Sequence, residues 1–282
     1  MSYRAPKSDF EARASAEMGE HLRDRPVWSI PQKLGLTARI LAADGHGSGI
    51  AGQITARGKA PDTMWTARFG LGLDEIRASD FLLVDNDLNV IEGAGMPNPS
   101  NRFHLWVYRA RPDVMSIVHT HPPYVSALSM IGVPLIASHM DTAMFYEDCA
   151  WLPEWPGPPI GDEEGDLISN ALGNKRAILL AHHGQLSAGD TVEQAAILAY
   201  HFEHAAKIQL HAMAAGEIKP LPRITMADRQ SLIAIETRCG DHRHRKRFAT
   251  FRQLQLLQSF KTHAQQSLQS SLRRCRQPDR QR

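Results

Sequence analysis

Two histidines separated by one residue, His119 and His121, end an apolar run in the stretch SIVHTHPPY (116–124). In an extended strand, residues i and i+2 point to the same side, and their roots lie roughly 7 Å apart at a rise of about 3.3 Å per residue. Two imidazoles at that spacing can bind one divalent ion. Pro122 and Pro123 follow at once and lack backbone N–H donors, so the strand must end there. We therefore expect the pair at a strand end, where a sheet opens toward a ligand crevice.

A catalytic metal needs a third protein ligand, and a second histidine pair supplies candidates. The stretch AILLAHHG places His182 and His183 at the end of an aliphatic run that predicts a buried strand. Adjacent strand residues face opposite sides, so only one of the two can join the first pair. Three ligands with open positions are typical of catalytic zinc sites, whereas structural sites have four. The spacing is equally compatible with plain surface histidines, so the metal is a hypothesis at this point.

Alternating helices and strands must position these histidines. Helical periodicity and stop signals predict helices at residues 31–47, 101–114, 123–132, 163–174 and 191–216. Apolar runs predict strands at 49–57, 63–70, 115–121, 134–140 and 176–184, with a hairpin over 78–93. Thr191 and Gln194 predict a capping box at the start of the last helix. This order of elements indicates an α/β domain.

The predicted organisation has three parts. Residues 1–30 are polar and form an N-terminal arm, and residues 31–222 form the α/β domain with the metal-binding histidines. Residues 223–282 are basic and low in aliphatic residues, which predicts a helical extension and a tail. A solvated terminus explains that basic tail better than a nucleic-acid contact does.

Composition excludes several classes of function. The 282-residue chain has a formal net charge of only +2, which argues against nucleic acid as a partner. Three widely spaced cysteines, Cys149, Cys239 and Cys275, contain no CxxC pair, which favours a reducing compartment over a disulfide framework. The charged N-terminal segment does not resemble a signal peptide, and no run of about 18 apolar residues predicts a membrane span. We expect a cytoplasmic protein with no membrane partner.

Several linked motifs resemble the class II aldolase/adducin superfamily, whose members include AraD-like enzymes. The central one is HLWVYRARPDVMSIVHTHPPYVSALSMIG, and AILLAHHGQLSAGDTVEQAA is similar to the second signature of the family. GIAGQITAR, FGLGLDEIRASDFLLVD and VIEG match its N-terminal portion in order, so that the resemblance covers about residues 35–220. It implies a three-layer α/β/α fold with a central, mainly antiparallel sheet. It also implies a homotetramer with sites near subunit contacts.

The resemblance further implies one divalent metal ion per chain, Zn²⁺, Fe²⁺ or Mn²⁺, bound by three histidines. Carried over position by position, the ligands are His119, His121 and His183, because His183 occupies the His–Gly step of the family. His182 stands where the family often has Asn, which favours a structural role for it.

One departure places this chain in a divergent branch of that family. The sugar-phosphate aldolases of the family carry Ser–Ser–Glu before the RFH step, and their Glu is the acid/base. Here Asn98 and Pro99 replace the two serines, and Ser100 replaces the glutamate. Gln53 likewise stands where those aldolases have Asn. A phosphorylated sugar is therefore disfavoured, and the hydroxyl of Ser100 cannot replace a carboxylate tuned near neutral pH.

The remaining chemistry suits a small-molecule carboxylate. A metal on three histidines can chelate an oxo or hydroxy acid and stabilise an enolate as a Lewis acid. Decarboxylation of a β-keto-type acid needs no base at carbon. Aldol cleavage needs one, and the stretch HMDTAMFYEDCAW offers candidates. They are Asp141, Tyr146, Glu147 and Asp148, of which Asp141 is the best placed; a solvated loop is the alternative. The leading hypothesis is a lyase acting on a non-phosphorylated oxo- or hydroxy-carboxylate.

Two alternatives remain open from sequence. Relatives in aminocoumarin biosynthesis resemble this family but use iron and O₂ to oxidise a prenylated arylpyruvate. Three histidines on Fe²⁺ leave room for both a 2-oxo acid and O₂, although the usual oxygenase triad has two histidines and one carboxylate. Adducin-like scaffolds without activity are the third class. Such scaffolds often lack the metal histidines that this chain retains at His119, His121 and His183.

Overall fold

The structure, a computed structural model, describes residues 27–222 apart from residue 156. Before residue 27 it describes only Asp9, Ala12, Arg13, Ala16 and Glu17, which are helical. Most of the predicted arm at 1–30 and the whole of the predicted extension at 223–282 lie outside the described residues. Both remain predictions.

In the described part of the chain, eight strands form one sheet in the order β4-β3-β2-β1-β5-β8-β7-β6. Their ranges are β1 Gln53–Arg57, β2 Met64–Ala67, β3 Phe81–Val84, β4 Val90–Glu92, β5 Ser116–Thr120, β6 Cys149–Leu152, β7 Ala177–Leu180 and β8 Gln185–Gly189. Every neighbouring pair is antiparallel except β6 and β7, which are parallel. The prediction of an α/β fold with a mainly antiparallel sheet is confirmed.

Helices cover both faces of this sheet. They are α1 Ile30–Leu41, α2 Arg102–Ala110, α3 Pro123–Met130, α4 Asp162–Leu172 and α5 Val192–Ala215. Shorter 3-10 helices lie at Ala78–Asp80, Pro99–Asn101 and Met140–Phe145, and a π-helical turn, Ala42–His46, follows α1. Each α-helix matches a helix predicted from sequence, with ends that differ by a few residues.

Alternating strand residues divide the core into layers. In β7, Ile178 packs with α2 and α4 on one face, while Leu179 packs with α3 and α5 on the other. In the centre of the sheet, Ile117 and Val118 of β5 show the same alternation, with Val118 facing α1 and α5. This is the three-layer α/β/α arrangement. No helix among the described residues has both the length and the apolar character needed to cross a bilayer.

The long helix α5 begins as its sequence predicts, with one difference. Thr191 Oγ1 accepts a hydrogen bond from the backbone N–H of Gln194 at 3.0 Å, which satisfies one free donor of the first turn. The side chain of Gln194 accepts from the N–H of Asp190 at 2.9 Å rather than from that of Thr191. The cap is therefore present, but the reciprocal bond of a capping box is made one residue earlier.

The strand predicted at 134–140 is wrong, because these residues form an irregular segment outside the sheet. Gln209 of α5 satisfies its backbone instead, donating to Pro134 O at 2.9 Å and accepting from the N–H of Ile136 at 2.7 Å. The side-chain amide of Gln209 thus makes hydrogen bonds that the backbone of a neighbouring strand would otherwise make.

Two strands were not predicted. β6 is only four residues long, CAWL, and β8 reads QLSAG, with polar and small residues at buried positions. Neither shows the alternation or the β-branched enrichment that predicts a strand. β8 is nevertheless central, since it pairs with β5 on one side and β7 on the other.

Candidate metal centre

Three imidazole rings meet where β5 ends. His119 is the fourth residue of β5, His121 follows the strand directly, and His183 lies in the turn between β7 and β8. Their ring centroids form a nearly equilateral triangle with sides of 4.7, 4.8 and 4.6 Å. One nitrogen from each ring lies within 4.8 Å of the others. Among the described residues, no other group of three or more His, Cys, Asp or Glu side chains comes close enough to share one ion.

The β7–β8 turn places His183 rather than His182 in this cluster. The strand predicted through residue 184 ends at Leu180, and the N–H of His183 and the carbonyl of Gly184 both bond back to Leu180. His182 has a left-handed backbone with φ of 54° and an exposed side chain. A turn therefore separates the two histidines, where sequence predicted the alternation of a strand.

Gly184 allows this turn to approach β5 closely. A Cβ atom at residue 184 would lie 2.5 Å from the carbonyl oxygen of Thr120 and 2.6 Å from Cδ2 of His121. Contacts that short are excluded by van der Waals radii, so only glycine fits without displacement of β5 or of the imidazole. Gly184, which follows the candidate ligand His183, thus determines the space available to the ring of His121.

A backbone carbonyl sets the tautomer of His119. Its Nδ1 lies 2.8 Å from the carbonyl oxygen of Gln185, which can only accept, so Nδ1 carries the proton and donates. The Nε2 lone pair is then free for a ligand, and Nε2 lies 2.9 Å from Nε2 of His121. This is the outer hydrogen bond that orients a metal-binding imidazole. The edge of the His119 ring also packs against Phe103, with centroids 5.0 Å apart.

The electrostatic environment keeps these imidazoles neutral. Burial, reinforced by the neighbouring histidines, holds the pKa of His119 well below its ordinary value. Burial also lowers the pKa of His121, and burial together with His121 lowers the pKa of His183 to about 4. Neutral imidazole is the form that binds a metal, because the proton competes for the same lone pair.

The donor set fits a divalent transition metal. Three neutral imidazoles suit Zn²⁺ or Fe²⁺, whereas Mg²⁺ and Ca²⁺ prefer oxygen ligands. His183 Nδ1 is buried and has no hydrogen-bond partner among the described residues, so no protein contact in that part of the chain satisfies this nitrogen. The cluster is compatible with a metal site, and the assignment of the individual ligands remains a proposal.

The predicted acid/base residues lie on other elements. Ser100 is half-buried in the 3-10 helix Pro99–Asn101, and its N–H donates to Asn98 Oδ1 at 3.0 Å. Asp141 lies in the 3-10 helix Met140–Phe145, with its carboxylate 3.4 Å from His204 Nε2. Tyr146 ends that helix, where its N–H donates to Ala143 O at 3.1 Å. None of these contacts reaches the three histidines, and the catalytic roles of Ser100, Asp141 and Tyr146 remain predictions.

Asp148 has a structural role in this arrangement. Its carboxylate is buried and accepts from Nε of Arg176 at 2.6 Å and from the N–H of Arg176 at 3.1 Å. The pair joins β6 to β7 at the start of their parallel ladder. Glu147 precedes it with a left-handed φ of 55°, and its carbonyl accepts from Lys175.

A small pocket next to Gln53 contains residues that were given no role from sequence. It is lined by the start of β1, the end of β2 with the loop that follows, and Asn98. Gln53 in its wall pairs in register with His119 across β1 and β5. The sequence offered one signal, the substitution of Gln53 for the family Asn, but not this alignment, which depends on long-range strand pairing.

The family model for the class II aldolase and adducin N-terminal domain matches residues 32–210. The chain belongs to this family. The match begins two residues into α1 and ends within α5, so it includes the whole sheet and all three histidines. The resemblance noted in the motifs is thereby confirmed.

Proteins with different names are similar to the chain. A Streptomyces roseochromogenus subsp. oscitans protein named 4-hydroxy-3-prenylphenylpyruvate oxygenase/4-hydroxy-3-prenylbenzoate synthase is 31% identical over 177 residues, 62% of this chain and 64% of that protein. An adducin-related protein of Schizosaccharomyces pombe, C1289.14, is 30% identical over 229 residues, 74% of this chain and 68% of that protein.

A solved structure extends the comparison. The L-fuculose 1-phosphate aldolase from Glaciozyma antarctica PI12 superposes with a TM-score of 0.67 at 29% identity, covering 83% of this chain and 96% of that chain. The family therefore includes enzymes that share this fold.

Proposed function

We propose that the protein is a divalent-metal-dependent lyase, which cleaves or decarboxylates a non-phosphorylated oxo- or hydroxy-carboxylate. The observation that carries this proposal is the triangle of His119, His121 and His183, with ligand nitrogens within 4.8 Å of one another. Three protein ligands leave positions free for a substrate, which is the pattern of catalytic rather than structural sites.

One divalent ion per chain, Zn²⁺, Fe²⁺ or Mn²⁺, would be held by these three side chains. When bound, such an ion acts as a Lewis acid on a carbonyl, carboxylate or hydroxyl oxygen. The protein keeps the three imidazoles neutral by burial and orients His119 through the carbonyl of Gln185. These contacts prepare the ligands before a metal arrives, so little reorganisation accompanies binding.

The loop at Asn98–Ser100 supports a substrate without a phosphate. Asn98 Oδ1 is already engaged by the N–H of Ser100, and Pro99 has no N–H to donate. A phosphate dianion is bound by several donors or by cations, and this loop offers few. With Ser100 in that place, the chain lacks the carboxylate that a proton-abstracting aldolase needs. This favours decarboxylation of a β-keto-type acid, since CO₂ departs without proton removal from carbon and the electron pair of the broken bond forms an enolate.

Aldol cleavage would need a proton acceptor from another element. We propose Asp141, followed by Tyr146, as the group that exchanges this proton, with Ser100 contacting the substrate. The carboxylate of Asp141 lies near two imidazoles, 3.7 Å from His139 Nδ1 and 3.4 Å from His204 Nε2.

A second candidate function is an Fe²⁺-dependent oxygenase acting on an arylpyruvate-like acid. The similarity to the Streptomyces oxygenase, at 31% identity, favours it. Loss of the catalytic glutamate is compatible with it too, since oxidative decarboxylation needs no base at carbon. A scaffold without activity is the third candidate, and the three clustered histidines argue against it.

Substrate consumption with and without O₂ separates the first two candidates. The protein is loaded with Fe²⁺ or Zn²⁺ and incubated with a panel of β-keto, 2-oxo and hydroxy acids. The lyase proposal predicts equal CO₂ or aldehyde release under air and under argon. Strict dependence on O₂ with Fe²⁺ would exclude the lyase and establish the oxygenase.

Family membership also supports a homotetramer, and the wide spacing of the three cysteines, without a CxxC pair, supports a cytoplasmic location. Size-exclusion chromatography coupled to light scattering measures the oligomeric mass of the purified protein directly. A mass of four chains is expected, and a monomer at working concentration would contradict it.

A further inference from the structure

A chain of buried polar side chains lies on the face of the sheet opposite to the side chain of His119. Its members are His46, Thr120, Gln185 and Ser187, each of which is 0% exposed. Thr120 follows His119 in β5 and therefore points to the other face of the sheet. Gln185 of β8 is the direct partner of Thr120, and such partners project their side chains to the same face. The proposed chemistry gives none of these four side chains a role.

Hydrogen bonds fix the side-chain amide of Gln185 at both of its ends. Ser187 Oγ donates to Gln185 Oε1 at 2.7 Å, and Gln185 Nε2 donates to Thr120 Oγ1 at 2.8 Å. Nε2 also donates to the carbonyl oxygen of Val118 at 3.4 Å. Thr120 Oγ1 is held in turn by His46 Nδ1, at 2.9 Å. The amide of Gln185 therefore has only one orientation that makes all of these bonds.

Gln185 is also the residue at which this buried chain meets the candidate metal centre. Its backbone carbonyl oxygen accepts from His119 Nδ1 at 2.8 Å. Gln185 is the first residue of β8 and belongs to the terminal pair of the ladders with both β5 and β7. Terminal pairs open more readily than central ones, so main-chain bonds alone restrain this carbonyl weakly. The side-chain bond from Gln185 to Thr120 holds the terminal pair with β5 together.

Burial makes these side-chain bonds effective restraints on the carbonyl of Gln185. Water cannot replace a lost partner at a fully buried site, so a displaced Gln185 side chain leaves unsatisfied polar groups, which costs more than the loss of an exposed hydrogen bond. The position of the carbonyl is thus determined before a metal binds. Outer hydrogen bonds orient a metal-binding imidazole, and their loss typically lowers metal affinity by about 10- to 100-fold.

We propose that Gln185 is a positioning residue of the metal centre. Its side chain, held by Thr120 and Ser187 on one face of the sheet, fixes the backbone carbonyl that orients the candidate ligand His119 on the other face. This inference rests on the proposed function, since it needs a metal ion at the three histidines. It assigns part of the metal affinity to buried side chains that do not themselves contact the metal.

The zinc affinity of two matched variants tests the proposal, measured by competition with a chromogenic chelator at neutral pH. Gln185→Met keeps the volume of the side chain but makes none of its hydrogen bonds, so zinc should bind roughly tenfold more weakly than in wild type. Gln209→Met is the control, because Gln209 is 1% exposed and its amide likewise makes two hydrogen bonds, to Pro134 and Ile136. It should lose stability as Gln185→Met does but bind zinc as wild type does. Equal zinc affinities of the two variants would overturn the proposal.

The absorption spectrum of the Co²⁺-loaded protein distinguishes positioning from a general loss of stability. The d–d bands of Co²⁺ depend on the geometry of its ligands, so a displaced His119 should change their position or intensity. We expect a changed spectrum in Gln185→Met and the wild-type spectrum in Gln209→Met. The wild-type spectrum in both variants would contradict the proposal, because a purely structural role for Gln185 leaves the ligand geometry unchanged.

Ser187→Ala provides a milder test that does not depend on the folding of Gln185→Met. This variant lacks the donor to Gln185 Oε1, so its zinc affinity should decrease roughly threefold. Ser116→Ala is the matched control, because Ser116 is also 0% exposed and donates to Thr55 O at 2.7 Å, at the other end of β5. It should bind zinc as wild type does. Unchanged zinc affinity in Ser187→Ala would contradict the proposal even if Gln185→Met did not fold.

Zinc binding by the wild-type chain, measured first, separates this proposal from the one it rests on. A wild-type chain that binds no zinc contradicts the proposed function, and with it the role of Gln185. A wild-type chain that binds zinc, together with a Gln185→Met variant of equal affinity, contradicts only the positioning role of Gln185.

Discussion

At the scale of single residues, the candidate metal centre depends on side chains and atoms that are not themselves ligands. The carbonyl of Gln185 sets the tautomer of His119, and the missing side chain of Gly184 leaves space for the ring of His121. Both residues directly follow the His183 turn in sequence. Residues 183–185 thus supply one candidate ligand, His183, and contacts that position the other two.

Substitution of Gly184 by Ala tests this dependence. The new Cβ would overlap Thr120 O and the His121 ring at 2.5 and 2.6 Å, so β5 and the imidazole must move apart. We expect metal affinity to fall at least roughly tenfold, the size of effect seen when the surroundings of a metal ligand are altered. Gly47→Ala is the control, because nothing lies within 4 Å of a Cβ at Gly47. Equal zinc affinity of the two variants would contradict the prediction.

The buried side chain of His46 predicts how the free energy of unfolding depends on pH. His46 is fully buried, with Nδ1 2.9 Å from Thr120 Oγ1, and burial lowers its pKa from 6.5 to about 4 despite the opposing charge of Asp44. In the unfolded chain this imidazole takes up a proton near its ordinary pKa. Between those values the unfolded state therefore binds more protons, so the free energy of unfolding decreases as pH falls.

Urea unfolding at a series of pH values between 4 and 6.5 measures the effect of His46. We expect this residue to account for a loss of roughly 3 kcal/mol across that interval. His46→Gln keeps a polar side chain beside Thr120 but does not titrate, so its unfolding free energy should depend less steeply on pH. The same slope in wild type and variant would show that His46 is not held neutral by the fold.

At the scale of elements, one buried carboxylate fixes the helix that follows the HTH motif. Pro122 and Pro123 remove the first donors of α3, so its first available backbone donors are the N–H groups of Tyr124 and Val125. Both donate to Glu203 of α5, at 3.0 and 2.8 Å. Burial raises the pKa of Glu203, while these two hydrogen bonds act in the opposite direction. The helix after His121 is thereby tied to α5.

Glu203→Ala should decrease the free energy of unfolding by roughly 2–3 kcal/mol, because two buried N–H groups lose their acceptor. Glu203→Gln, which retains one carbonyl oxygen, should lose less. Glu193→Ala on the same helix is the matched control, since its ion pair with Lys33 is partly exposed and such pairs contribute about 0–1 kcal/mol. Chemical denaturation measures the free energy of unfolding of the three variants. A Glu203→Ala variant as stable as Glu193→Ala would contradict the role of Glu203 in fixing α3.

Sequence patterns were sufficient to predict some strands of the sheet but not others. The aliphatic run AILL predicted β7, and the two prolines of HTHPP predicted the end of β5. Both signals depend only on residues that are close together in the chain. β8 could not be predicted, because its buried polar residues satisfy each other: Gln185 donates to Thr120 at 2.8 Å and accepts from Ser187 at 2.7 Å. PLIASHM has the apolar character of a strand, but its backbone bonds to a side chain of α5.

At the scale of the whole molecule, the candidate metal ligands lie together at one end of the central strands. The end of β5, the β7–β8 turn and the start of β1 meet there, which brings His119, His121 and His183 beside Gln53. Sequence identified the three histidines, two by strand geometry and the third by family resemblance. It could not place Gln53 opposite His119, because the pairing of these two residues joins segments far apart in the chain.

Metal analysis of the purified protein tests the central claim most directly. Wild type, His121→Ala and His182→Asn are compared by elemental analysis after equilibration with Zn²⁺ and removal of unbound ion. His182 is the matched control, because it lies in the same turn, is exposed and has a left-handed φ of 54° that Asn tolerates. We expect about one zinc ion per chain in wild type and His182→Asn, and almost none in His121→Ala. A wild-type chain without metal, or a His121→Ala chain that retains it, would contradict the account.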